Sequence, residues 1–150
     1  MRRIPCVLVA AAAVAAASPG SAQRTVAAPV EEYLGPLRAG APAPYEPASI
    51  RLLRRGPDGG TVETISSERV GRLLAPCVLG DRSYGPLSPA NRRQFRIRQQ
   101  WRCEGADGYA GIVATFITSP RAERLESVEL ELRDQPFAPP SPPPSWPGNR

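Results

Sequence analysis

The 150-residue chain has no histidine and no lysine; its 19 basic residues are all arginine. Without imidazole there is no Ser-His-Asp or Cys-His arrangement and no histidine-ligated metal. Without lysine there is no Schiff base and no P-loop cation. What remains for catalysis is carboxylate chemistry, or tyrosine and arginine acting on a polarised substrate. A pair of acids can hydrolyse a glycoside, but the two must flank a cleft, and a short chain has little material for a deep one. Long apolar runs are also missing. The longest is Val7–Ala17, and a membrane-spanning helix needs about 20 such residues.

That run has the length of a signal-peptide core. Arg2 and Arg3 precede it, and Gly20, Ser21 and Ala22 supply small residues for cleavage before Gln23. The pattern predicts a signal peptide over 1–22 and an exported chain, periplasmic or extracellular, with no transmembrane segment after cleavage. Heavy use of Ala, Pro and Arg fits a GC-rich bacterial genome. Removing Arg2 and Arg3 takes the formal charge from +5 to +3, which is ordinary for solubility and does not mark a nucleic-acid binder.

Export changes the meaning of the cysteines. Cys6 leaves with the leader, and Cys77 and Cys103 remain. An even count in an oxidising compartment predicts one disulfide. Two cysteines with no histidine are too few ligands for structural zinc, so neither a metal nor a cofactor is expected.

Segments 23–48 and 136–150 are rich in Ala and Pro and read as an extended linker and a Pro-rich tail. Between them, 49–135 carries the periodicity of one domain. Ile50–Arg54 reads as a strand, GPDGG as a turn and Thr61–Ile65 as the return strand. In SSERVGRLLAPC, Ser66 or Ser67 caps a helix, Glu68 sits in its first turn and Pro76 stops it. Val70, Leu73, Leu74 and Cys77 make one stripe on that helix, and Leu79–Ala90 reads as loop.

FRIRQQWRC, from Phe95 to Cys103, alternates as a half-buried strand does: Phe95, Ile97, Trp101 and Cys103 on one parity, Arg96, Arg98 and Arg102 on the other. Asp107-Gly108 is a two-residue hairpin signal. With it at the tip, Cys103 faces Ile112, Trp101 faces Ala114 and Gln99 faces Phe116. On the other side Arg102 faces Val113, Gln100 faces Thr115 and Arg98 faces Ile117. If Phe116 then pairs with Val128, Val113 faces Glu131, Thr115 faces Glu129 and Ile117 faces Ser127. Arg102 could reach Glu131 across this face.

These readings define a small α+β domain. One helix packs on a mostly antiparallel sheet that ends in a three-stranded meander, and Cys77–Cys103 ties helix to sheet. No catalytic residue is assigned. The candidate partner-binding residues are Arg92, Arg93, Arg96 and Arg98, which lack expected carboxylate partners, and Tyr109, Val113 and Ile117, an apolar row on the wet face. The function expected is that of a non-catalytic binding module of the bacterial envelope, with an envelope protein or an anionic envelope component as partner. The alternatives are an electrostatic binder of anionic lipid or polysaccharide, and a small hydrolase pairing Glu104 or Asp107 with Glu63 or Glu68.

Overall fold

The computed structural model describes residues 21–135. The expected signal peptide lies outside them except for Ser21 and Ala22, and the expected tail lies wholly outside. Two helices and six strands follow in the order α1 (Ser21–Arg38), β1 (Ser49–Gly56), β2 (Gly59–Thr64), α2 (Ser67–Leu74), β3 (Cys77–Pro86), β4 (Phe95–Cys103), β5 (Gly111–Thr118) and β6 (Leu125–Arg133). The strands form one sheet ordered β2-β1-β6-β5-β4-β3. All neighbours are antiparallel except β1 and β6, which run parallel with Ile50 beside Val128. The α+β class and the disulfide follow the sequence reading; the detail differs at four places.

The first is the segment expected to be a linker. Much of it is α1, whose buried Ala27, Val30, Tyr33, Leu34 and Leu37 form a helical stripe. Pro29 and Pro36 lie inside this helix and, with the many alanines, masked the period. The helix ends in a Schellman motif: Ala41 N donates to Pro36 O and Gly40 N to Leu37 O, with Gly40 at φ 75°. The chain beyond is fastened too. Glu46 accepts from Ser67 N at the start of α2, and Tyr45 Oη accepts from Leu125 N.

The second is α2. Ser66 caps it, accepting from Arg69 N, and Val70 and Leu74 are buried. Gly71 carries a specific requirement, because a Cβ there would stand 3.1 Å from Leu37 O. The glycine lets the two helices cross closely. Cys77, however, is not on this helix.

Third, Cys77 opens β3, a ten-residue edge strand where a loop was expected. It lies directly opposite Cys103 in the β3–β4 ladder, and the disulfide (S–S 2.03 Å) joins adjacent strands rather than helix and sheet. The meander therefore has four strands, β3 to β6.

Fourth, the β4–β5 register is slipped by two residues from the expected one. Trp101 faces Ile112, Gln99 faces Ala114, Ile97 faces Phe116, and on the other side Arg98 faces Thr115 and Gln100 faces Val113. The connection closes at Cys103 N to Ala110 O, so it is longer than a two-residue turn, with Gly105 and Gly108 both at positive φ. An even slip keeps every side chain on its face. The β5–β6 register, with Phe116 facing Val128 and Val113 facing Glu131, is as expected.

The core is the face carrying Ile50, Leu52, Ile97, Trp101, Ile112, Ala114, Phe116, Val128, Leu130 and Leu132, packed with the stripes of α1 and α2. Arg38 lies over the Trp101 ring at 5.1 Å. Tyr33 Oη and Ser67 Oγ share a buried 2.8 Å hydrogen bond, and burial pushes the Tyr33 phenol up to about 12. Gln99, fully buried on this face, accepts from Arg82 Nε at 2.6 Å, and Arg82 Nη2 donates to Glu31.

Candidate functional site

Neither α1 nor α2 packs over the second face of the sheet; both contribute to the core on the first. Register fixes what stands there, because alternate residues of each strand share a side. β4 contributes Arg96, Arg98, Gln100 and Arg102; β5 contributes Val113, Thr115 and Ile117; β6 contributes Ser127, Glu129, Glu131 and Arg133; β1 contributes Arg51 and Leu53. One continuous row across four strands reads Arg98, Thr115, Glu129, Arg51, and the next reads Gln100, Val113, Glu131, Leu53.

The charges divide this face in two. On the β1–β6 side Glu129 meets Arg51 at 2.7 Å. Glu131 meets Arg55 at 2.6 Å and Arg133 at 3.2 Å, and its side chain is only 14% exposed. The open-face carboxylates of β6, Glu129 and Glu131, are thus taken up by β1 and β6. On the β4 side, Arg96, Arg98 and Arg102 form no ion pair among the described residues. The expected reach of Arg102 to Glu131 is not made: their strands are separated by β5, and nearer arginines hold the carboxylate.

Arg92 and Arg93 lie just before β4 in an exposed turn. Its geometry comes from Asn91, whose N–H donates to Ser88 Oγ and whose Oδ1 accepts from Arg93 N and Gln94 N. Gln94 Nε2 donates to Glu126 Oε2 at 2.6 Å, which engages the nearest carboxylate of β6. Arg92 and Arg93 thus precede β4 and Arg96 and Arg98 lie in its first half, where successive same-face residues are about 7 Å apart.

The apolar row expected beside them does not form. Tyr109 belongs to the other side: its hydroxyl donates to Leu73 O at the end of α2, and its ring packs against the core. Burial raises its pKa, with Asp107 adding to the shift and Arg54 opposing it. Val113 is on the open face but only 3% exposed. Ile117, half-buried, is what remains of the row.

Two of the four acids proposed for a hydrolase are already engaged by arginines. Glu104 and Asp107 lie in the β4–β5 connection. Glu63 on β2 pairs with Arg69, and Glu68 with Arg72 at 2.9 Å. An open depression of about 510 Å³ lies between the end of α1 and the start of α2, lined by Leu37, Pro42, Glu46, Ser67 and Glu68. Glu46 there already caps α2. No helix among the described residues is long and apolar enough to cross a membrane.

No family model and no curated protein matches the chain. A solved structure described as "An enumerative algorithm for de novo design of proteins with diverse pocket structures" is similar over 75% of this chain and 99% of that one, at 11% identity and a TM-score of 0.37. A likeness at that score carries no argument about fold or role.

Proposed function

We propose that the protein is an exported, non-catalytic binding module of the bacterial envelope that engages an acidic partner protein through the β4 arginines. The observation that carries this reading is the uneven charge of the open face. Glu129 and Glu131 are held by Arg51, Arg55 and Arg133, while Arg92, Arg93, Arg96 and Arg98 stand exposed and form no ion pair among the described residues. Arginine forks match carboxylates two bonds at a time, and a strand presents them at fixed spacing. Cleavage before Gln23 would leave the buried stripe of α1 on the chain, so the exported form keeps its core.

The test is retention of envelope proteins by the disulfide-bonded protein and by a variant with Arg92, Arg93, Arg96 and Arg98 all changed to Ser. A partner bound by the parent and lost by the variant supports the reading. A partner retained equally by both removes the arginines from the site. Release of lipid or polysaccharide at raised salt, with no protein retained, would transfer the same arginines to anionic envelope polymers.

A further inference from the structure

Four large apolar side chains are exposed among the described residues, and three lie on the edge strand β3: Val78 at 52%, Leu79 at 49% and Tyr84 at 41%. β3 is the outermost strand, so among the described residues the alternate N–H and C=O groups that point away from β4 have no strand to pair with. Folded chains usually blunt such an edge with charge, proline or a bulge. β3 has a bulge, and the bulge gives its ten residues an unusual symmetry.

Leu79 faces Trp101 and Arg82 faces Gln99, so Gly80 and Asp81 together stand against Gln100. Gly80 is required there, since a Cβ would lie 3.1 Å from Gln100 O. The extra residue restarts the alternation. Before it Cys77 and Leu79 share the helix-covered side and Val78 the open side; after it Arg82, Tyr84 and Pro86 share the covered side and Ser83 and Gly85 the open one. Reflected about the midpoint between Asp81 and Arg82, the strand matches itself face for face on either side of that central pair, whose two residues lie on opposite faces. Leu79 meets Tyr84, Val78 meets Gly85, Gly80 meets Ser83 and Asp81 meets Arg82. In an unbulged strand a reflection between two residues would set opposite faces against each other.

We infer that β3 pairs antiparallel with β3 of a second copy, joining two sheets into one through a twofold axis between Asp81 and Arg82. Such a contact is isologous, so each favourable pair occurs twice. The exposed apolar side chains of Leu79 and Tyr84, on the same side of the strand, cover one another across the axis. A straight foreign strand does not follow the bulge, whereas an identical strand bends at the same place. The inference makes no use of the β4 arginines and stands or falls apart from the binding proposed above.

The experiment is analytical ultracentrifugation of the disulfide-bonded protein over a concentration series, with Leu79→Arg, Tyr84→Glu and an equal mixture of the two variants. Strand-edge contacts are small, so the association is read from its concentration dependence. The parent should rise about twofold in mass. Each variant alone should remain monomeric, and the mixture should dimerise, because residue 79 of one copy faces residue 84 of the other. Recovery in the mixture also shows that both variants are folded. A monomeric parent at every concentration, variants that dimerise as the parent does, or a mixture that stays monomeric would each overturn the inference.

Discussion

The two faces of the sheet come from the same six strands but are finished differently. On the covered face, α1 and α2 bury Phe116, Trp101, Leu130 and Leu52 to 1% exposure or less. On the open face, arginine and glutamate side chains lie over one another, and only Val113 is buried as deeply as a core residue. Stability is therefore concentrated on one side, and the other is left free to differ in charge from end to end. The same contrast recurs within the open face, where the β1–β6 side is neutralised and the β4 side is not.

Phe116 and Ile117 are the sharpest probe of this division, being adjacent on β5 and on opposite faces. Phe116→Ala should lower unfolding stability by about 3–5 kcal/mol, and Ile117→Ala by about 1 kcal/mol. Urea unfolding of both measures the difference, and equal losses would erase the distinction. Next in size is the disulfide on the covered face. Its sequence separation of 26 gives about 3.5 kcal/mol on the chain-entropy relation, so replacing Cys77 and Cys103 by Ser should cost about that much.

Tyr33 gives a smaller and pH-dependent effect. Its pKa rises from 10.0 to about 12, mainly through burial, and the Ser67 hydrogen bond opposes the rise. The folded protein therefore favours the protonated phenol: stability is complete below pH 10 and is lost as pH rises through 12. The loss should be about 3 kcal/mol, and Tyr45 and Tyr109, also raised, add in the same direction. Tyr33→Phe should cost about 1 kcal/mol at neutral pH and flatten the alkaline limb of the stability profile.

The open face should give the smallest effects. A double-mutant cycle of Arg51→Ala with Glu129→Ala, whose side chains are 52% and 33% exposed, should return about 0–1 kcal/mol of coupling. Arg96→Ser with Arg98→Ser should change stability by no more than about 0.5 kcal/mol. A larger loss would mean that the arginines hold the fold together.

Strand parity was legible in the sequence because burial on one face writes it directly. Ile97, Trp101 and Cys103 lie on the covered side and Arg96, Arg98 and Arg102 on the open one, as their alternation predicts. Pairing between β5 and β6 followed for the same reason. The β4–β5 register did not, since turn length sets it and parity cannot see a slip of two. Composition hid α1: Pro29, Pro36 and the alanines read as linker, although Val26, Val30, Tyr33 and Leu37 keep a helical period. β3 was missed because, as an edge strand with a bulge, it has no unbroken alternation. Of the candidate site, the arginine cluster follows from counting charges along β4. The misplacement of Tyr109 came from extending the strand into a connection that turns back under α2.

The parallel pairing of β1 with β6 has a consequence for when the fold can form. Arg51 and Glu129, bonded across that seam, are separated by 78 residues, so the first strand of the sheet waits for the last before its inner edge is filled. Contacts this remote in sequence slow folding, and none of them can form while the C-terminal part of the domain is still being made. The hairpin of β1 and β2 emerges early with the backbone edge of β1 unpaired, and the sheet closes only when β6 has been made. The moment at which the sheet can close is thus set by the order of its strands.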